Sequence, residues 1–277
     1  MPEPAAHDFP ETTLREVTLL FVDVRGSSAL AQSLEIEQSC LVLGDILESL
    51  TSAVLDHGGG IIDYYGDGLA AMWNAPTNQA DHAELACRAG VEMLASLPAL
   101  EARWSSLLRQ PLGLGVGVHT GIARVGNSGS SQKWKYGPRG TNVHLASRVE
   151  SATKELGVPL VATEATASQL SARFICPRLC CVRLPGISEP IELYGVWSVD
   201  AEPSDMATYE HALIEFEAGQ LNEAAAILAT IDATTTELPV AFLRSSIEQA
   251  QSQRKGRRRT DQAIAADMSG AIVLDVK

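Results

Sequence analysis

No run of apolar residues in this 277-residue chain approaches the length of a membrane span, and Met1-Pro2-Glu3-Pro4-Ala5 lacks the basic and apolar regions of a secretory signal. No membrane span and a cytoplasmic location are the corresponding expectations. Positive charge is scarce: 21 lysines and arginines against 34 aspartates and glutamates leave a net charge of −13, which argues against nucleic acid as a partner. The one basic run, Lys255-Gly256-Arg257-Arg258-Arg259, reads as a solvated linker. Cysteines number five, an odd count at irregular spacing, which fits reduced thiols rather than a disulfide framework. Cys176, Cys180 and Cys181 lie close together, but no second cysteine or histidine cluster completes a zinc-type site. The GxxxxGK[ST] phosphate loop is absent throughout. What remains is a chain 45% hydrophobic, enough to bury one full domain and a small appendage.

Two aspartates carry most of the chemistry. Asp23 ends the apolar run Val17-Thr18-Leu19-Leu20-Phe21-Val22 and leads into Arg25-Gly26-Ser27-Ser28, while Asp67 sits in Tyr65-Gly66-Asp67-Gly68-Leu69 between two strand-like segments. Each has a plain structural alternative. Asp-Gly is a hairpin-turn signal, and Asp23 is placed where it can cap a helix near Ser27. A carboxylate at a strand end and a second at a hairpin tip can instead share divalent ions. A helix starting near Ser28 would then offer N–H groups to a phosphate.

The pattern along the chain alternates strand and helix, a layered α/β architecture. Residues 16–24 read as a strand, and Leu43, Leu47, Leu50 and Val54 mark a helix from Ala29 to about Leu55, ended by His57-Gly58-Gly59-Gly60. Residues 61–65 and 69–74 form the hairpin carrying Asp67, followed by a helix over about 79–97 that can extend toward Leu108. Residues 112–119 and 122–126 read as another hairpin, with Gly113, Gly115 and Gly117 on one face suited to close backbone approach. A third helix is expected from Thr141 to Leu156, its apolar stripe formed by Leu145, Val149, Ala152 and Leu156, with His144 and Arg148 on an adjacent face. Strands near 159–162, 174–183 and 190–198 complete the domain. Beyond Pro203, Tyr209 to Leu221 and Glu223 to Leu228 read as a helix, a tight turn and a second helix, with another at about 238–252. This segment, 204–254, looks like one tetratricopeptide-type unit, which cannot bury its own face and so needs the preceding domain or a protein partner. The tail, 255–277, and the N-terminus, 1–11, are expected to be mobile, although Ala271-Ile272-Val273-Leu274 can dock as an edge strand.

A third element joins the two aspartates: Gly140-Thr141-Asn142-Val143-His144-Leu145-Ala146-Ser147-Arg148-Val149-Glu150. With Phe21 to Ser28, Gly66 to Ala70, Gly117-Val118-His119-Thr120-Gly121, Leu184-Pro185-Gly186-Ile187 and Glu189 to Tyr194, it resembles the class III nucleotide cyclases over about residues 12–200. The resemblance implies a ferredoxin-like fold and a purine nucleotide cyclase acting on ATP or GTP. It implies two Mg²⁺ or Mn²⁺ ions held by Asp23, Asp67 and the carbonyl of Val24. Backbone N–H groups of Arg25, Gly26, Ser27 and Ser28 would cradle the β- and γ-phosphates, and Arg148 would bear on charge at the α-phosphate. In this family the site lies between two head-to-tail domains, so a homodimer or a heterodimer with another cyclase domain is the implied partner arrangement.

The substrate-facing half departs from the family pattern. Adenylate cyclases place a lysine where this chain has Asp63 and an aspartate or threonine where it has Gly137, whereas guanylate cyclases place a carboxylate and a small residue there. Asp63 with Gly137 therefore leans toward GTP, since a carboxylate accepts from guanine and repels adenine N1. A solvated strand residue is the alternative for Asp63. The asparagine that orients the ribose is replaced by His144, and the triphosphate-contacting lysine by Pro185, with Arg183 on the same strand face as a substitute. Three functions stay open: a slow cyclase; a pseudo-cyclase that lends its metal half to a partner; and a scaffold working through the C-terminal helices.

Overall fold

The computed structural model describes residues 12–130, 132–201, 203–232, 238–257 and 272–274. The chain divides into two compact units, one built from the described residues up to Gly113 with Val118–Ser147, the other from Leu114–Gly117 with those from Arg148 onward.

The first unit opens with β1 (Thr13–Arg25), whose apolar run buries Val17, Leu19, Leu20, Val22 and Val24. After α1 (Ser27–Ser33) and α2 (Ile36–Asp56) come β2 (Gly60–Tyr65) and β3 (Gly68–Trp73), a hairpin of which every β3 residue is buried. β3 pairs antiparallel with β1 in a register from Thr18↔Trp73 to Val22↔Leu69. The long helix α3 (His82–Trp104) is tied to α2 through Asp45, which accepts from Arg103 Nη1 at 2.7 Å and Trp104 Nε1 at 2.8 Å. Beneath β1 a buried polar cluster joins Thr18 Oγ1 to His82 Nδ1 at 2.7 Å and to Thr120 Oγ1 at 2.8 Å.

Three expectations change here. The single helix expected from Ala29 to Leu55 is two, because Leu34 and Glu35 are extended and Glu35 forms a reciprocal capping box with Gln38. That second helix, 21 residues with a mean hydropathy of 1.2, is long and apolar enough to cross a bilayer, contrary to the expectation that no stretch approaches a span. It carries Asp45 and Glu48, however, and buries one stripe, Val42, Ile46, Leu50, Ala53 and Val54. Finally, the hairpin expected over 112–126 is one strand, β4 (Gly113–Gly129), and its antiparallel partner is β5 (Trp134–Arg139). Thr120-Gly121 reads as a turn in sequence; in the fold the strand runs on through Gly121, where a Cβ would lie 2.6 Å from the Asn142 amide, so Asn142 packs on the bare glycine.

The helix α4 (Thr141–Leu156) has the expected bounds, and Leu145, Val149, Ala152 and Leu156 are all buried. In the second unit its C-terminal half lies against Gly117, where a Cβ would fall 2.1 Å from the Glu150 nitrogen, so the bare glycine there lets helix and strand touch. The unit continues through β6 (Leu160–Thr163), the short α5 (Glu164–Ala167), β7 (Phe174–Ile175), β8 (Arg178–Arg183), β9 (Ile191–Gly195) and β10 (Trp197–Ser198). The strand expected over 174–183 is broken at Cys176-Pro177, since Pro177 has no N–H to give a ladder. The strand expected over 190–198 is likewise broken at Val196, whose N–H goes to Leu160 O at 3.1 Å.

Three C-terminal helices follow: α6 (Met206–Glu217), α7 (Leu221–Leu228) and α8 (Val240–Arg257). α6 docks on β8: Tyr209 is fully buried and its hydroxyl donates to Leu179 O at 2.6 Å. Arg178 bridges Glu192 on β9 and Glu217 on α6, at 2.6 and 2.8 Å. Burial works against that guanidinium's charge, yet the two carboxylates outweigh it and hold Arg178 charged. β11 (Ile272–Val273) adds to β8 in parallel, the edge strand the sequence allowed. α8 passes its expected end and takes in the start of the basic run; Arg258 and Arg259, the N-terminal 1–11 and most of the expected tail lie outside the described residues.

Candidate active site

Asp23 lies near the end of β1, and Asp67 in the turn that leads into its antiparallel neighbour β3. The ladder that pairs Val22 with Leu69 brings Gly68 so close to β1 that a Cβ on it would lie 2.0 Å from Val22 O and 3.2 Å from Asp23 Cα. Gly66, at φ 66°, makes the tight turn with Asp67, so the turn reading of Asp67 is correct as far as it goes. The turn does not use the carboxylate: Asp67 Oδ2 is buried with no hydrogen-bond partner. A carboxylate oxygen taken out of water without a donor is costly, and a cation is the natural remedy. Among the described residues no group of three or more His, Cys, Asp and Glu side chains is placed to hold a metal. The available set is two carboxylates with a main-chain carbonyl, and all-oxygen ligation of that kind suits Mg²⁺ or Mn²⁺, which retain several waters.

The helix-cap alternative for Asp23 is not what the chain does. The N-cap of α1 is Gly26, left-handed at φ 72°, and no side chain caps the helix. Ser27 and Ser28 form the first turn of the helix, where N–H groups have no intrahelical partner. α1 buries none of its residues, and a cleft of about 210 Å³ separates it from the 108–112 segment, with Leu30 and Leu112 among its walls.

Asp63 and Gly137, the positions expected to read the base, are brought near each other by the approach of β5 to β2. Asp63 is exposed; its Oδ1 accepts the Tyr64 N–H at 3.0 Å and its Oδ2 is ion-paired with Lys135. The Lys135 bond and that N–H hold the Asp63 carboxyl below the usual carboxylate range. The Lys135 ammonium also stands 5.6 Å from the centre of the Tyr65 ring, which stacks on Phe21 at 6.0 Å. Gly137 lies two residues along the same face, with Ile62 Cγ2 at 3.5 Å from where its Cβ would be. Sequence reasoning missed Lys135, since 72 residues separate it from Asp63 and only the β5 placement joins them.

On α4, His144 is exposed and Arg148 half-buried. The asparagine next to this position, Asn142, is committed elsewhere: Nδ2 donates to Ile122 O at 2.8 Å and Oδ1 meets His119 Nε2 at 3.1 Å. His119 is buried, and that burial lowers its pKa, so it serves β4 as a neutral structural group, as its strand position suggested. Arg183 closes β8, its Nη1 3.4 Å from Ser188 O, beside the Gly186 turn at φ 79°. Burial pushes the Cys176 and Cys181 thiols up to about 11 and Cys180 higher still, so none is a ready thiolate ligand.

Comparison with known proteins points the same way. Residues 9–196 match the family model described as adenylate and guanylate cyclase catalytic domain. Adenylate cyclase 1 of Rhizobium meliloti (strain 1021) is 29% identical over 185 residues, covering 67% of this chain and 28% of the relative. The adenylate cyclase of Anabaena cylindrica is 28% identical over 190 residues, covering 66% of this chain and 37% of the relative. The chain thus spans well under half the length of either. Among solved structures, the adenylyl cyclase CyaB from P. aeruginosa superposes with a TM-score of 0.64 at 28% identity, over 68% of this chain and 96% of that one. A guanylyl cyclase superposes with a TM-score of 0.63 at 31% identity, over 70% and 97%. The family model covers more than half of the chain and these matches agree with it, so the chain belongs to the adenylate and guanylate cyclase catalytic domain family.

Proposed function

We propose that the chain is a purine nucleotide cyclase, converting ATP or GTP to the 3′,5′-cyclic monophosphate and pyrophosphate for intracellular signalling in the cytoplasm. The observation that carries this is the buried, partnerless Oδ2 of Asp67 beside the strand that bears Asp23. Asp23, Asp67 and the Val24 carbonyl would hold two Mg²⁺ or Mn²⁺ ions. Such ions supply activation of the ribose 3′-hydroxyl and neutralisation of the pyrophosphate charge. The 3′-oxygen forms a bond to the α-phosphorus, the bond to the bridging oxygen of pyrophosphate breaks, and the hydroxyl proton goes to solvent. The N–H groups of the Arg25–Ser28 turn would hold the β- and γ-phosphates, and Arg148 and Arg183 of the other subunit would meet the triphosphate. Positioning and charge, rather than a covalent intermediate, lower the barrier.

A head-to-tail dimer, homomeric or with another cyclase domain, completes the proposal. Tyr64, Tyr65, Ile122, Trp134 and Tyr136 of the first unit are all exposed, an apolar surface that a second domain would cover. Residues 12–200 are then the catalytic domain and 204–254 a helical appendage open to a protein partner. A pseudo-cyclase is the second reading. Asn142 is bound to His119 and Ile122, and only the exposed His144 stands at the ribose-orienting position.

The test is metal-stripped protein incubated with ATP or GTP and Mn²⁺, the products resolved by chromatography. Cyclic AMP or cyclic GMP is expected, with Asp67→Asn lowering turnover at least about a hundredfold, or about 2.7 kcal/mol. Mn²⁺ should also raise the melting temperature of the parent chain and not that of Asp67→Asn. A folded dimer giving no cyclic product makes the pseudo-cyclase the answer.

A further inference from the structure

The position where adenylate cyclases carry a lysine holds Asp63 here, yet a lysine reaches that carboxylate from another strand. Lys135 on β5 pairs with Asp63 Oδ2 and is steadied by the Tyr65 ring, so its ammonium is held at two points rather than swinging in solvent. Both side chains are open, 40% and 49% exposed. Beside them, on the same face of β5, Gly137 adds no side chain, and Ile62 alone approaches its missing Cβ. This surface thus presents an ammonium with protons to spare next to a carboxylate with lone pairs to spare.

We propose that Lys135 and Asp63 act together as the purine-reading element, and that the pair accepts adenine and guanine alike. Adenine's Watson–Crick edge offers an acceptor, N1, beside a donor, its amino group. Guanine's offers an acceptor, O6, beside a donor, N1–H. A neighbouring donor and acceptor match either base, in opposite order. The lysine therefore restores the adenine contact that Asp63 alone would forbid, and the carboxylate keeps the guanine contact. The inference rests on the cyclase reading and on Asp63 and Gly137 facing the base. It replaces the simple lean toward GTP that Asp63 suggests in isolation.

The experiment compares kcat/KM for ATP and GTP in the parent chain, Lys135→Met and Asp63→Ala. The parent should treat the two within about tenfold. Lys135→Met leaves a lone carboxylate and should shift the ratio roughly tenfold toward GTP, one good hydrogen bond's worth. Asp63→Ala leaves a lone ammonium and guanine's two donors unpartnered, and should shift it the other way. Equal losses on both substrates would mean an ordinary surface ion pair and overturn the inference. Should the parent form no cyclic product, the cyclase reading fails on its own. Mn²⁺-dependent binding of fluorescent ATP and GTP analogues to the same three proteins then reads the ratio without turnover. Unchanged binding ratios, or no binding, overturn the purine-reading pair.

Discussion

Two pairs of charged residues sit on neighbouring strands of one unit and are built to opposite specifications. Asp23 and Asp67 lie on β1 and at the tip of the β2–β3 hairpin, with strands so close that Gly68 has no room for a methyl group. Asp63 and Lys135 lie on β2 and β5, open to solvent and satisfied by each other. The first pair leaves a buried oxygen without a partner; the second leaves none. On the proposed reading, electrostatic need is stored where the chemistry would be fixed and is absent where the substrate's identity would vary.

The comparison can be broken most severely at Gly68. Its substitution by alanine drives a Cβ into the Val22 carbonyl and should cost about 3 kcal/mol or more, lowering the melting temperature by roughly 6–12 °C. Calorimetry checks this, and a melting temperature within a degree of the parent would show that the strands can separate without penalty. A smaller effect is expected at His144, which is exposed and so can change without disturbing the core. His144→Asn should raise turnover roughly threefold to tenfold, less than about 1.4 kcal/mol, by restoring an amide donor. A fall in turnover would give the histidine a role of its own.

The mildest probe is pH. His82 and His119 beneath the β1–β4 region are buried and their pKa values lie below the ordinary 6.5, chiefly through desolvation. In the unfolded chain they bind protons first, so stability is full above 6.5 and declines as the pH falls from there toward their folded values. Each histidine can add at most ~1.4 kcal/mol per pH unit to that slope. Asp63 behaves differently. Its pKa is lowered, first by the Lys135 bond, and its pairing persists until the pH falls through that depressed value. Between pH 7.5 and 5.5 denaturant midpoints should therefore drop while the carboxylate resonance of Asp63 stays put. A flat stability profile would mean that the buried histidines are solvated after all.

Legibility in the sequence followed locality. α4 was readable to the residue because its stripe, Leu145 to Leu156, repeats at the helical period and is buried as the period demands. The placement of Asp23 and Asp67 was readable because each sits against its own strand and turn signals. β4 was not, because Thr120-Gly121 carries the same letters as a turn, whereas the glycine serves instead as the place where Asn142 packs on a continuing strand. The break at Glu35 had a local signal, Gln38 three residues on, which the apolar period across it overrode. Lys135 had none, since its meaning depends on the β5 return across β2.

The ion pair also constrains inheritance. A lysine introduced at position 63, the residue that adenylate cyclases carry there, would meet the Lys135 ammonium and set two positive charges side by side over Tyr65. Removing Lys135 first would leave Asp63 alone. Asp63 and Lys135 are therefore coupled, and the effect of changing one depends on the presence of the other.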